Sequence, residues 1–276
     1  MNDTLSPAHP VVLACAFARS SFLIMLAHRL RYLIGVMNYF VYAAVSWYLW
    51  GAVFHGRGGG VATWDLEALR TYACVNWIVR SAYFSNSDSA LAGRISKGEI
   101  ASDLLRPSSL LLQYYGAAVG ELLFRALFMG LPIGVLIAAL FELQAPTSAV
   151  HFALFVCSVV LAFHLFFAIN FLTGLCAVFT EKLQGFLWAK FLLLQFLSGQ
   201  LLPMEFFNPY PVLRACFEIL PFKGMAYTPM QIYLGRWNAE QLRGELALQA
   251  AWTVGLLVFC ELAWRGVRRR LFVLGG

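Results

Sequence analysis

From Val150 to Phe179 the chain runs without a single Asp, Glu, Lys or Arg, and from Tyr32 to Phe54 Asn38 and Ser46 are the only strongly polar side chains. A helix that crosses the hydrocarbon core of a bilayer needs about 20 mostly apolar residues, and both runs exceed that. Such stretches recur, leaving 12% charged residues against 61% hydrophobic, whereas soluble domains carry about 25% charged. A water-soluble fold is excluded. The expected fold class is an all-α integral membrane protein, a single membrane domain over residues 1–276. The first ten residues are polar and lack the basic region of a signal peptide, so no cleavable signal is expected.

Val11 to Leu30 mixes apolar residues with Arg19, His28 and Arg29, which predicts an amphipathic helix at the interface, residues 11–30. Six spans are predicted at 32–54, 66–84, 110–141, 150–179, 183–202 and 246–264. The second carries Arg70, Asn76 and Arg80; charges within a span face a protein interior or a water-filled cavity, which sets this helix inside the bundle. Residues 203–235 are broken by Pro203, Pro209, Pro211, Pro221 and Pro229 but keep Phe206, Phe207, Phe217 and Phe222. Prolines break a full span and aromatics favour the headgroup region, so short re-entrant helices in the outer interface are expected.

The net charge of +6 does not point to nucleic acid, because the basic residues flank apolar runs and no recognition motif is present. Arg19, Arg29, Arg31, Arg94, Lys97, Arg106, Lys182, Arg265, Arg268, Arg269 and Arg270 gather on one side, and Arg57, Arg214, Lys223, Arg236 and Arg243 on the other. An even number of spans with this bias predicts both termini in the cytoplasm. The six cysteines form no C-x-x-C and read as small core residues.

Between spans two and three, residues 89–106 are too polar to span. Ile95, Ile100, Leu104 and Leu105 can share part of a helical face, leaving Arg94, Lys97, Glu99, Asp103 and Arg106 outward, without partners in the chain. Such a segment, fixed to two spans, can pass motion from a soluble partner into the membrane; the alternative is a surface helix resting on headgroups. Within the spans, Asn76, Arg80, Asn170, Gln195 and Gln200 either line a pathway or hold helices together. Glu121 and Arg125, four residues apart, are expected to neutralise each other, Lys190 to reach toward the interface, and His164 to be a hydrogen-bonded bundle residue. Gly116-x-x-x-Gly120 and Gly130-x-x-x-Gly134 allow close helix contact.

The stretch ISKGEIASDLLRP, through Gly98, Ile100, Leu104, Leu105, Arg106 and Pro107, resembles the G-x-I-x-x-x-L-L-R-P signature of ABC-2 type exporter permeases. A second stretch, SGQLLPMEFFNPYPVLRACFEILPFKGMAYTPMQIYLG, is similar to the same family through Gly199, Pro203, Phe206, Phe207, Pro209, Leu220, Pro221, Phe222, Pro229 and Gly235. The resemblance implies a permease subunit of the bacterial cytoplasmic membrane, paired with a second copy or a paralogue and with two ATPase subunits. Residues 89–106, among them Arg94, Lys97, Gly98, Glu99, Ile100, Asp103, Leu104, Leu105 and Arg106, would form the coupling helix. The outer segment, with Phe206, Phe207 and Phe222, would cap or gate the pathway. The expected substrate is an amphiphilic or hydrophobic molecule such as a drug, lipid or glycolipid. No G-x-x-x-x-G-K-[ST] is present, so ATP and Mg are expected on the partner and no cofactor on this chain. The competing readings are a polytopic enzyme acting on lipids and a non-catalytic membrane scaffold.

Overall fold

The computed structural model describes residues 10–57, 63–180 and 184–274, and its regular structure there is helical. The helices are α1 (Pro10–Ala27), α2 (Arg29–Arg57), α3 (Leu66–Tyr83), α4 (Ser87–Ser96), α5 (Ile100–Leu104), α6 (Leu110–Arg125), α7 (Leu131–Leu140), α8 (Ala149–Leu175), α9 (Gln184–Leu197), α10 (Pro211–Ile219), α11 (Tyr227–Tyr233) and α12 (Ala239–Leu274). The starts of α3, α6 and α8 are fixed by side-chain caps, in which Asp65 accepts from Ala68 N, Ser109 from Leu112 N and Ser148 from His151 N. Each satisfies a backbone donor that the helix leaves open. A π turn, Ala126–Gly130, joins α6 to α7 just before Pro132, where a proline cannot supply the ordinary helical N–H.

Five helical stretches are long and apolar enough to cross a membrane: Pro10–Ala27, Tyr32–Gly56, Leu110–Leu140, Ala149–Val178 and Ala239–Arg268. These are not the six expected from the sequence. The stretch expected at the interface, α1, is among them, whereas α3 carries Glu67, Arg70 and Arg80 and α9 has only 14 residues. The last helix also runs well beyond the expected 246–264 at both ends. Residues 58–62 and 181–183, the latter holding Lys182 and the expected start of the fifth span at Leu183, lie outside the described residues, as do the side chains of Arg31, Arg269 and Arg270.

The centre of the bundle is α8, packed against α3, α4, α6, α11 and α12. Its Phe155 joins one buried cluster with Trp50, Trp64, Leu69, Tyr72, Phe217 and Met230, while Phe163, Phe166, Phe167 and Phe171 join another with Tyr83, Leu91, Ile100 and Trp264. The interior placement expected for 66–84 is found: along α3, Leu69, Tyr72, Cys74, Asn76, Trp77 and Arg80 are all buried. The segment at residues 203–235 is broken into a 3-10 turn Met204–Phe207, α10, a 3-10 turn Pro221–Met225 and α11. It turns at Gly199 and Gly235, whose φ angles of 78° and 62° suit glycine. Its two halves differ: α10 is largely exposed, whereas Tyr227 to Ile232 of α11 are buried.

The helix crossing of α1 and α6 is made by the first glycine pair. A Cβ on Gly116 would stand 2.7 Å from the Ala14 carbonyl oxygen and 2.8 Å from Phe17 Cβ, and one on Gly120 would collide with the Ala18 backbone. Small residues let two backbones approach closely enough for dense van der Waals contact where lipid provides no hydrophobic drive.

Candidate functional site

Two features stand at the α3–α4–α5 region. The first is a cavity of about 1050 Å³ between α2, α3, α6 and α9, whose walls include Tyr39, Trp77, Arg80, Tyr114, Glu121 and Phe191. Among the described residues lining it, Arg80, Arg125 and Glu121 carry formal charge. The expected pairing of Glu121 with Arg125 is formed, with Arg125 Nε donating to Glu121 Oε1 at 2.9 Å, and Ser85 Oγ donates to Glu121 Oε2 at 2.6 Å. The Arg125 guanidinium also lies 5.6 Å from the ring centres of Tyr32 and Phe84.

Arg80 is placed differently. It is 3% exposed and is held among the rings of Phe191, Phe84 and Phe166 at 5.2, 5.5 and 5.9 Å. Its Nη2 is buried with no hydrogen-bond acceptor. Cation–π contact offsets part of the burial of its charge but gives its N–H groups no acceptor.

Of the residues expected to line a pathway, the cavity brings together Arg80 and Gln195. Asn170 belongs to a neighbouring knot: its Nδ2 donates to Ser85 O at 3.0 Å and its Oδ1 accepts from Lys190 Nζ at 2.6 Å. Lys190 also pairs with Asp88, so it does not reach for the interface; the buried carboxylate holds it inside. Asn76 and Gln200 are buried in the bundle away from the cavity, with the Asn76 Nδ2 and both polar atoms of the Gln200 amide lacking partners. His164 is hydrogen-bonded as expected, to Tyr115 Oη at 2.9 Å and to Val160 O at 2.7 Å. The sequence reading missed the aromatic wall. Tyr32, Gly35, Tyr39 and Tyr42 recur at helical spacing along α2 and all line the cavity, a stripe that periodicity could have exposed.

Phe206, Phe207 and Phe222 do not form one plug. Phe206 packs on Trp50 at 5.4 Å, Phe207 contacts Phe196 and Phe217 at 5.3 and 5.0 Å, and Phe222 packs against the other buried cluster. Phe207→Ala is expected to cost about 2 kcal/mol, below the range for a fully buried phenylalanine because the side chain is half-buried. Thermal unfolding of the purified protein measures it.

The second feature is the segment expected as one helix at 89–106. It is two, α4 and α5, turning at Gly98 with φ 73°, the left-handed conformation in which glycine ends a helix at low cost. Its charges are not unpartnered as expected. Asp103, 4% exposed, accepts from Arg94 Nε at 2.6 Å and from Arg94 Nη2 at 3.0 Å, a two-pronged contact. Arg94 Nη2 also donates to Ser102 Oγ at 2.8 Å, and Arg106 Nη1 lies 3.8 Å from Asp103 Oδ1 and donates to Gln113 Oε1 at 3.4 Å. The hydrogen bond to Asp103 raises the pKa of Arg94 above its ordinary value. Ile100 is buried and Leu104 packs beneath it, while Lys97, Gly98, Glu99 and Arg106 are exposed and Leu105 is 87% exposed.

The long apolar helices, the buried polar span and the cavity define a multi-pass helical membrane protein. A model of the ABC-2 family transporter protein matches residues 40–273, and the chain belongs to that family. It is thus a transmembrane permease of an ABC transporter, and the family implies association with an ABC ATPase. No curated protein matches the chain.

Proposed function

We propose that this chain is the permease subunit of an exporter whose α4–α5 turn docks on a separate ATPase and whose cavity receives an amphiphilic or hydrophobic substrate. The observation that carries it is the sharing of one helix by both features. Ser87 and Ala90, in the first turn of α4, are cavity wall, and Arg94, in its last turn, is bolted to Asp103 in the exposed turn. Force on the turn therefore acts on the cavity wall through a single rigid rod. ATP and Mg bind the partner, two copies of it, and a second permease copy or paralogue completes the pathway. In this reading α1 lies at the interface and α3 and α9 bring the crossings to an even number, so that α4–α5 and both termini face the cytoplasm of a bacterial inner membrane and residues 203–235 face outward. A scaffold or a lipid enzyme has no use for an exposed leucine beside such a rod.

Leu105, 87% exposed in the α4–α5 turn, is taken as the anchor of that contact. Leu105→Asp is expected to lower ATPase association by about tenfold, within the 2 kcal/mol or so carried by a central interface residue, with an unchanged melting temperature. Co-purification of the tagged chain with its ATPase measures this. Wild-type recovery of the ATPase with Leu105→Asp sinks the docking assignment.

A further inference from the structure

The charges around the cavity leave one cation over. Among the described residues, every carboxylate at the cavity or beside it is committed: Glu121 is held by Arg125 and Ser85, and Asp88 by Lys190. Three described cations, Arg80, Arg125 and Lys190, face these two carboxylates, and the positive charge left without a carboxylate among them is on Arg80. A buried unpaired charge is expensive and tends to persist only where function requires it. The faces of the Arg80 guanidinium are occupied by phenyl rings and its Nη2 is buried without an acceptor, while Arg80 itself lines the cavity, and the edge of an arginine is the part that grips phosphate or carboxylate. The remaining walls are aromatic, including Tyr39, Trp77 and Tyr114, and offer apolar surface to a tail.

We infer that the cargo of this cavity is an anionic amphiphile, whose phosphate or carboxylate pairs with Arg80 while its apolar portion lies against the aromatic walls. This rests on the exporter reading and narrows the substrate class. The Glu121–Arg125 pair is neutral overall and leaves Arg80 as the element that selects charge sign.

The test compares four probes on the purified protein in nanodiscs: dodecyl phosphate, dodecyltrimethylammonium, dodecyl maltoside and inorganic phosphate, with binding read from tryptophan fluorescence. A charge-assisted two-pronged contact is expected to favour dodecyl phosphate over the ammonium compound by about tenfold or more. Arg80→Gln should remove that preference while leaving maltoside affinity unchanged, and Arg80→Lys should keep part of it. Equal binding of dodecyl phosphate and dodecyltrimethylammonium by the wild type overturns the inference without reliance on any variant. So does a preference that survives in a folded Arg80→Gln, and so does inorganic phosphate binding as tightly as dodecyl phosphate, which would make this a free-anion site. Co-purification separates this inference from the exporter reading. An anion preference in a protein that recovers no ATPase defeats the exporter and leaves the site, while a coupled ATPase beside a cavity blind to charge does the reverse.

Discussion

Asp103→Arg is expected to open the α4–α5 turn, whereas Glu99→Lys is expected to leave it folded. Asp103 is the hub of the turn: its carboxylate takes both prongs of Arg94, and its backbone carbonyl accepts from Gln113 Nε2 at 2.9 Å. Arginine there removes the acceptor and adds a third guanidinium between Arg94 and Arg106. Breaking a fully buried pair from one side costs about 3–5 kcal/mol. The Arg94 side chain is 35% exposed, and that solvent access brings the expected loss to about 2–3 kcal/mol. The Glu99 carboxylate is exposed at the rim, 3.6 Å from Arg94 Nη1, and the 3.3 Å bond from Arg94 goes to its backbone carbonyl, so its reversal is expected to cost less than 1 kcal/mol. In vesicles reconstituted with the ATPase, Asp103→Arg should lose the ratio of transport to hydrolysis together with thermal stability. Glu99→Lys should keep the stability and change only the ratio. Equal melting temperatures for both variants would show that Asp103 is not the structural hub.

Gly120→Leu is expected to displace α1 from the bundle. The Ala18 backbone occupies the space that even a Cβ would need, and neither helix can give way without losing the Gly116 contact one turn along. Overpacking alone costs about 1–3 kcal/mol; here the obstacle is backbone, so the upper end of that range is expected. A cysteine placed at exposed Arg19 should become more reactive toward maleimide, and Arg106 should lose its contact with Phe17, now 5.9 Å from the ring centre. Gly93→Leu, where nothing lies within 4 Å of a Cβ, is the control and should label as the wild type does.

Much of this arrangement was legible beforehand because it depends on local pattern. Apolar runs gave the long helices, Pro203 to Pro229 gave the broken outer segment, and Gly116 and Gly120 gave a close contact whose partner no spacing could name. Arg80 was visible as a charge inside an apolar helix. Its lack of a carboxylate was not, since the commitments of Asp88 and Glu121 to other partners are settled only by packing. The same limit explains the coupling segment. Alternation of charges looked like an outward-facing surface, and only the reversal at Gly98 folds Asp103 back under Arg94. Polarity and length pull apart at α1: Arg19, with His28 and Arg29 just beyond it, reads as a surface helix, whereas its apolar length also suits a span.

The π turn between α6 and α7 settles a matter of angular phase. Glu121, Arg125, Met129, Ile133 and Ile137 recur every four residues, and the first three line the cavity while the last three are fully buried together with α2 and α3. In an unbroken α-helix a spacing of four advances by about 40° a step, or about 160° over the stripe, turning Ile137 almost to the side opposite Glu121. One extra residue in a wide turn takes back about 100° of that rotation. The ion pair in the cavity and the greasy seam beyond it thereby stay within about 60° of each other, whereas an unbroken α-helix through the same residues would swing one of them out to the lipid.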